Sequence, residues 1–206
     1  QKHTSICADF TDPSALQLKV EAYLQKNPPV HILVNNTGGP PAGPALAAKP
    51  EEFLTAFSNH LVCNHLLMQA LVPGMKTTGY GRIINIISTS VKQPIPGLGV
   101  SNTIRAAVGN WSKTLAMELA PFGITVNNVL PGAANTVRLQ AILENKAQKT
   151  GKTIAEIKQE MISEIPAARI AEPNEVANAV AFLASPAASY INGINVPVDG
   201  GRTLCL

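Results

Sequence analysis

The chain has 206 residues, of which 46% are hydrophobic and 14% are charged, and its formal net charge is +3. This length suits one domain with a buried core. The charge is too small, and the basic residues are too scattered, to indicate nucleic-acid binding. No apolar run of about 18 residues occurs, so the sequence predicts no membrane span.

The cysteines and histidines predict neither disulfides nor a metal site. Cys7, Cys63 and Cys205 are odd in number, widely spaced and without a CxxC pair. Such usage is typical of reduced thiols, so we expect a cytoplasmic protein. The histidines show no ligand spacing with cysteines or carboxylates, which argues against bound metal. The chain opens at Gln1 with no signal-peptide pattern.

Short apolar runs alternate with amphipathic segments, a pattern that predicts βαβ units and a parallel sheet in one α/β domain. The strand over 30–35 is expected to be buried on both faces, because its apolar run is continuous. In chain order the predicted elements are a strand ending at Asp9, a helix over 12–25, a strand over 30–35, a helix over 51–71 that ends before Pro73, a strand over 82–87, a helix over 101–119, a strand over 124–130, two helices within 136–165, a helix over 172–183 and a strand over 194–198.

The segment 136–165 differs from the rest of the chain. It is predicted to form two helices broken at Thr150-Gly151, and Thr153 with Glu156 forms a capping box for the second. Its polar, lysine-rich surface indicates a flap on the substrate side rather than a layer packed on the sheet.

Three turns with Gly or Ser follow predicted strands: Thr37-Gly38-Gly39, Ser88-Thr89-Ser90 and Pro131-Gly132. Ligands of open parallel sheets bind beyond the carboxyl ends of the strands, where these turns must meet. The sequence therefore predicts a ligand crevice at this edge. The alternative is that they are ordinary turn residues, since Gly and Pro are common in any such turn.

The segment 81–108 places a strand end at Ser88, then a Pro/Gly loop, then a helix that opens at Ser101. This arrangement resembles the active-site segment of the short-chain dehydrogenases/reductases. There the helix opens Tyr-x-x-x-Lys, and a serine lies 13 positions before the tyrosine. Ser88 lies 13 positions before Ser101. By this resemblance Ser101 occupies the tyrosine position and Arg105 the lysine position.

The resemblance extends over essentially the whole chain. It implies a Rossmann-like, doubly wound parallel sheet and a nicotinamide cofactor, NAD or NADP, with NADP slightly favoured. The matching motifs are the Asp-x-Thr-Asp-like turn at 9–12, Asn35-Asn36-Thr37-Gly38 for Asn-Asn-Ala-Gly, Asn127, the Pro-Gly segment 131–136 and the closing 198–201. The cofactor-binding residues that it implies are Asp9, Asn35, Asn36, Thr37, Gly38, Arg105, Pro131, Gly132, Ala134 and Thr136.

The family's glycine-rich turn, Thr-Gly-x-x-x-Gly-x-Gly, does not occur in the 206 residues. In the family it belongs to a strand–helix unit upstream of the position of Asp9. We therefore expect the printed sequence to begin at the third strand of the family fold. How the cofactor pyrophosphate is held, and the choice between NAD and NADP, are decided upstream of that point.

The implied catalytic residues are Ser88, Ser101, Arg105 and His60. Ser88 would hydrogen-bond the substrate carbonyl. Ser101 has an aliphatic hydroxyl with no accessible pKa, and Arg105 keeps a positive charge but does not deprotonate. Positions 101 and 105 lie on one helix face. His60 falls at the position of the family's asparagine, although Asn59 and Asn64 are near enough for a slip in register.

Because neither Ser101 nor Arg105 can supply the proton, other residues are candidates for the general acid. Histidine titrates near neutrality, so His60 could serve directly or through water; alternatively it is a helix-face histidine bonded to backbone. Lys92 borders the site, but a loop lysine is more often solvated. Tyr80 precedes its strand on the wrong edge, and Tyr190 is expected in the core or an interface.

The sequence favours an NAD(P)-dependent oxidoreductase that resembles 3-oxoacyl acyl-carrier-protein reductases, with a carbonyl or alcohol substrate. One alternative is a non-catalytic relative that binds a nucleotide or acyl ligand or serves as a structural subunit. Another is a different reaction that uses His60 as base. The helices 51–71 and 101–119 resemble the family's subunit interface, so we expect a homodimer or homotetramer.

Overall fold

The computed structural model describes residues 3–205. Four parallel strands form one sheet in the order β1-β2-β3-β4. The strands are β1 (Ile32–Asn35), β2 (Gly81–Ile86), β3 (Ile124–Pro131) and β4 (Asn195–Val198). The helices are α1 (Pro13–Leu24), α2 (Pro50–Phe57), α3 (Cys63–Thr78), α4 (Gly99–Leu119), α5 (Val137–Thr150), α6 (Ile154–Ser163) and α7 (Pro173–Ala184).

Helices cover both faces of the sheet, which confirms the doubly wound, Rossmann-like architecture. On one face α3 and α4 pack against the strands, with Met75 of α3 and Val126 of β3 fully buried. On the other face Leu183 of α7 packs on Ile84 and Val129. Within residues 3–205 no helix is long and apolar enough to cross a membrane.

The strand predicted to end at Asp9 is absent from residues 3–9, which lie outside regular secondary structure; residues 1 and 2 are outside the described part. No described strand pairs with these residues, so their backbone has no ladder to join. The prediction that 30–35 is buried on both faces is also wrong. Ile32 is 44% and Val34 43% exposed, because β1 lies at the edge of the sheet in the described chain.

The predicted long helix 51–71 is divided and longer than expected. A π-helical turn, Ser58–Val62, joins α2 to α3, and α3 passes through Pro73 to end at Gly79, whose φ is +64°. A proline inside a helix costs about 3 kcal/mol. Continuing past it buries Met75 completely, which stabilises the helix by roughly 1.5–3 kcal/mol. Burial of Met75 on the sheet thus offsets much of the cost of the proline.

A row of asparagines crosses the sheet in register: Asn35, Asn85, Asn128 and Asn195, one on each strand. The Nδ2 of each donates to the Oδ1 of the next along this row, at 2.8, 3.1 and 2.8 Å. Buried amides are costly unless they are paired, so this chain of hydrogen bonds opposes any slip between strands. The sequence analysis missed this row, because its members are far apart in the chain.

The segment 136–165 forms two helices as predicted, and the capping box at Thr153 is present, with Glu156 accepting from the Thr153 amide at 2.8 Å. Leu139 and Leu143 of α5 bury themselves against Ile157 of α6. The two helices therefore share a small core of their own, separate from the cores on the sheet.

Candidate active site

The candidate site lies at the carboxyl edge of the sheet. Because the strands are parallel, the chain leaves β1, β2 and β3 at this same edge, into the turns 36–40, 87–91 and 132–136. This is the edge at which ligands of open α/β sheets bind.

Arg105 reaches this edge from α4, with 8% of its surface exposed. Its Nη1 donates to the Ile86 carbonyl oxygen at 2.8 Å, and its Nη2 donates to that of Thr37 at 3.4 Å. The guanidinium therefore joins the carboxyl ends of β1 and β2. Its Nε is buried and has no hydrogen-bond partner among the described residues. Burial, together with the nearby charge of Arg138, lowers the pKa of Arg105 to about 10, so it stays protonated at neutral pH.

His60 lies in the π-helical turn and is buried beside the same strand end. Its Nδ1 is 2.5 Å from Thr37 Oγ1. Burial and the charges of Arg105 and Arg138 lower the pKa of His60 to about 4, although the Gly38 backbone partly opposes this shift. The imidazole is therefore neutral at pH 7. Single π-helical turns within helices are frequent at functional sites.

The two serines lie at the end of β2 and at the start of α4. Ser88 Oγ accepts a hydrogen bond from the Ser90 amide at 3.1 Å, which leaves the Ser88 hydroxyl hydrogen free to donate. Ser101 is buried in the first turns of α4, one turn before Arg105. Within residues 3–205, no hydrogen bond links Ser88, Ser101 and His60 to one another.

A cavity of about 490 Å³ lies beside Thr37. Small-molecule sites span roughly 300–1,000 Å³. A Cβ built on Gly38 would meet no atom within 4 Å, so this wall faces open space. Asp9 lies in the cavity as a carboxylate, because hydrogen bonds from Thr11 lower its pKa. The lining residues are Cys7, Ala8, Asp9, Phe10, Asn36, Thr37, Gly38 and Asn59.

The cavity brings together Asp9, Asn36, Thr37 and Gly38, four of the predicted cofactor residues. Asn35 is not among its lining residues, since its side chain belongs to the asparagine row.

The other predicted cofactor residues also lie outside the cavity lining. Gly132 packs against Asp199, where a Cβ would lie 2.7 Å from the Asp199 Cβ, and Pro131 precedes it at the end of β3. Ala134 pairs with Ala171 in an isolated bridge. Thr136 caps α5, its Oγ1 accepting from the Leu139 amide at 3.3 Å.

Two residues at this edge were missed by the sequence analysis as site residues. Arg138, in the first turn of α5, donates through Nη1 to the Gly39 carbonyl oxygen at 3.1 Å and through Nη2 to that of Pro40 at 3.4 Å. A basic residue in the first turn of a helix is unfavourable with respect to the helix dipole, and this feature of the sequence could have indicated a functional role for Arg138. Asn59, named only as a register alternative, lines the cavity, and its buried Oδ1 has no described partner.

The remaining proton-donor candidates lie away from this cluster. Tyr80 donates to the Ala184 carbonyl oxygen at 2.9 Å, near the opposite edge of the sheet. Tyr190 is fully exposed, which corrects the expectation of a core position. Lys92 is partly buried after the turn Thr89–Val91, and no described hydrogen bond or ion pair joins its ammonium to the cluster.

Comparisons with known proteins agree with this architecture. A family model described as Enoyl-(Acyl carrier protein) reductase matches residues 1–203. A 3-oxoacyl acyl-carrier-protein reductase, FabG, of Vibrio cholerae is 34% identical over 94% of this chain and 75% of its own. The 4-formylbenzenesulfonate dehydrogenase TsaC1/TsaC2 of Comamonas testosteroni is 31% identical over 97% of this chain and 77% of its own.

Solved structures show the same fold. An L-sorbose reductase from Gluconobacter frateurii, in complex with NADPH and L-sorbose, has a TM-score of 0.90 and 31% identity, covering 97% of this chain and 76% of that one. A gluconate 5-dehydrogenase from Burkholderia cenocepacia, in complex with NADP and tartrate, has a TM-score of 0.85 and 26% identity, covering 97% and 74%.

The fold and the strand-edge site define an α/β protein of the nucleotide-binding oxidoreductase type. The chain belongs to the short-chain dehydrogenase/reductase family, as the family model and the relatives above 30% identity show. Within that family it resembles the 3-oxoacyl acyl-carrier-protein reductases.

Proposed function

We propose that this chain reduces a small carbonyl substrate of the 3-oxoacyl class, with NADPH as the preferred cofactor. The observation that carries the proposal is the buried, protonated Arg105 at the carboxyl edge of the sheet, which donates to the carbonyl oxygens of Ile86 and of Thr37, a residue that lines the cavity. The relatives named for 3-oxoacyl reduction support the substrate class. The solved relatives described with NADPH or NADP support the cofactor.

The residues around the cavity suit a nicotinamide dinucleotide. Gly38 faces open space, and Asp9 and Asn36 offer hydrogen-bond partners along the wall. The Nε of Arg105 and the Oδ1 of Asn59 are buried and have no hydrogen-bond partner among the described residues. We assign Asp9, Asn36, Thr37 and Gly38 to the cofactor. Hydride transfer to or from the substrate carbon is the chemistry that a bound nicotinamide supplies.

In this mechanism Ser88 donates its free hydroxyl hydrogen to the carbonyl oxygen, since the Ser90 amide already occupies one Ser88 lone pair. Arg105 stabilises the negative charge that develops on that oxygen. Ser101 orients the oxygen from the tyrosine position of the family but releases no proton itself. The proton comes from water, because His60 is neutral at pH 7 and Arg105 stays charged.

His60 is assigned a positioning role. Its hydrogen bond holds Thr37, whose carbonyl oxygen in turn accepts from Arg105. Loss of this contact would change where the guanidinium sits without removing any group that touches the substrate.

The segment 136–165 is proposed as the substrate-side flap. Its two helices share their own small core, so they can shift as a pair without disrupting the cores on the sheet. We further propose a homodimer or homotetramer through helices 51–71 and 101–119. Leu54, Phe57 and Met117 of these helices are exposed apolar side chains, which suit a subunit contact. Size-exclusion chromatography with light scattering tests this, and a monomer at micromolar concentration would refute it.

The activity is tested by titrating NADH and NADPH into the protein by calorimetry, then following nicotinamide absorbance with 3-oxoacyl thioesters and small ketones. We expect NADPH to bind more tightly and turnover to be slow, since a missing general acid typically costs 10²–10⁴-fold. The double variant Ser101→Tyr with Arg105→Lys should raise turnover. If neither nucleotide binds, the proposed function is wrong.

A further inference from the structure

Arg105 and Arg138 are two positive charges at the carboxyl edge, and neither has a negatively charged partner among the described residues. Neither takes part in any ion pair within residues 3–205. Both donate only to backbone carbonyl oxygens, and the charge of Arg138 adds to burial in lowering the pKa of Arg105. Two like charges held together, one of them 8% exposed with an unpartnered Nε, are costly without an anion between them.

The two guanidiniums converge beside Gly39. A Cβ built on that residue would lie 2.7 Å from Arg138 Nη2 and 3.5 Å from Arg105 Nη2. The absence of a side chain at position 39 is therefore what lets both groups approach one point. The guanidinium forks have more donors than the carbonyl oxygens use, and such forks match the oxygens of a carboxylate.

Arg138 also lies where the local electrostatic field is unfavourable for a cation. It lies in the first turn of α5, which has no acidic residue there, and a cation at a helix N-terminus is unfavourable by roughly 0.3–1 kcal/mol. A position that breaks a local rule without local compensation is typical of functional sites. α5 belongs to the segment 136–165 that we place on the substrate side.

From this arrangement we propose that Arg105 and Arg138 together bind a carboxylate of the substrate, so that the protein prefers acidic carbonyl compounds over their neutral esters. This inference rests on the proposed function for its substrate side. The anion binding itself does not depend on turnover.

The test compares acetoacetate with ethyl acetoacetate in the unchanged protein, in Arg138→Gln and in Lys149→Gln. Lys149 is an exposed lysine near the other end of α5, so its variant carries the same charge change away from the site. Binding of each probe is followed by ligand-observed NMR, and reduction by nicotinamide absorbance. Thermal unfolding confirms that both variants fold.

We expect acetoacetate to bind at least tenfold more tightly than the ester, and Arg138→Gln alone to abolish this preference. Equal binding of acid and ester, or an unchanged preference in Arg138→Gln, would overturn the proposal. A tenfold loss of NADPH affinity in Arg138→Gln, with the acid preference intact, would assign the pair to a cofactor phosphate and overturn it too. Failure of NADPH to bind any variant would refute the proposed function, while the acetoacetate titration still decides the anion site.

Discussion

Two arginines lie buried near opposite edges of the sheet, and their surroundings differ. Arg82, on β2 near the amino edge, donates to the Gly81 carbonyl oxygen at 2.8 Å, and its Cζ lies 4.3 Å from the centre of the Tyr80 ring. Arg105, at the carboxyl edge, also donates to backbone oxygens, but its neighbour is Arg138 instead of an aromatic ring.

This difference indicates which of the two buried guanidiniums has a favourable neighbour within the fold. An aromatic face attracts a guanidinium, so the Tyr80 ring compensates part of the burial of Arg82, although the Nε of Arg82 is buried without a partner as that of Arg105 is. Within the part of the chain that the structure describes, Arg105 faces a like charge and forms no ion pair with a carboxylate, and removing the like-charged neighbour or adding an anion would stabilise it. We therefore regard Arg82 as structural and Arg105 as functional, and four measurements can break or sharpen this distinction.

The largest effect is expected for Arg105→Met. The substitution removes the charge at the site, so kcat should fall at least about 100-fold, roughly 2.7 kcal/mol of transition-state stabilisation. The free energy of unfolding should change by less than about 1 kcal/mol, because removal of an uncompensated buried charge offsets the loss of the hydrogen bonds to the Ile86 and Thr37 carbonyl oxygens. Steady-state kinetics and urea unfolding measure the two. A strongly destabilised variant with normal kcat would reverse the assignment.

Arg82→Met is the matched control at the other edge. It removes the contact with the Tyr80 ring and hydrogen bonds to carbonyl oxygens that stay buried, so the free energy of unfolding should fall by about 2 kcal/mol. Turnover per folded molecule should be unchanged. Urea unfolding and active-site-normalised kinetics check this, and a specific loss of kcat would count against a purely structural Arg82.

His60→Gln tests the electrostatics of the carboxyl edge through pH. The pKa of His60 is lowered in the folded state to about 4 from its ordinary 6.5, so the folded protein binds fewer protons than the unfolded chain between these values. Stability is therefore full above pH 6.5 and is lost as the pH falls toward 4.

In the unchanged protein the lowered pKa of His60 should contribute on the order of 1–2 kcal/mol to the free energy of unfolding at neutral pH, allowing for solvent screening. The pH dependence should be weaker in His60→Gln by that amount. Urea unfolding at pH 7 and pH 5 measures both proteins, and parallel losses in the two would show that His60 does not carry the linkage.

The smallest effect is expected for Tyr80→Phe. It keeps the ring beside Arg82 and removes only the hydrogen bond to the Ala184 carbonyl oxygen, so the free energy of unfolding should fall by about 1 kcal/mol. Comparison with Tyr80→Leu isolates the aromatic contribution, because leucine removes the ring as well. If both variants lose the same stability, the ring does not compensate Arg82.

The local sequence predicted much of the fold because local rules govern the element ends. Asp12-Pro13 begins α1, Thr153 with Glu156 caps α6, and Thr150-Gly151 separates it from α5, as expected. Local rules failed at Pro73, where the helix continues because burial of Met75 in the following turn offsets much of the cost of the proline. They failed again at 30–35, since an apolar run does not say whether a strand is central or at an edge.

In the candidate site, too, local sequence patterns indicated some residues, whereas contacts between distant segments decided others. Ser88, Ser101 and Arg105 were selected because one strand–loop–helix unit resembles the active-site segment of the family, and their catalytic roles stay a prediction. Arg138 lies 99 residues from the Gly39 that its Nη1 contacts, and no local pattern joins the two.

The sequence by itself determined the family and the parallel α/β class, because periodicity and short motifs are local properties of the chain. Only the tertiary structure decided that His60 is neutral, that the asparagines form one row across the sheet, and that Arg105 faces Arg138. Charge states and pairings of this kind depend on burial and on atoms brought together from distant segments. Those distances exist only once the chain has folded.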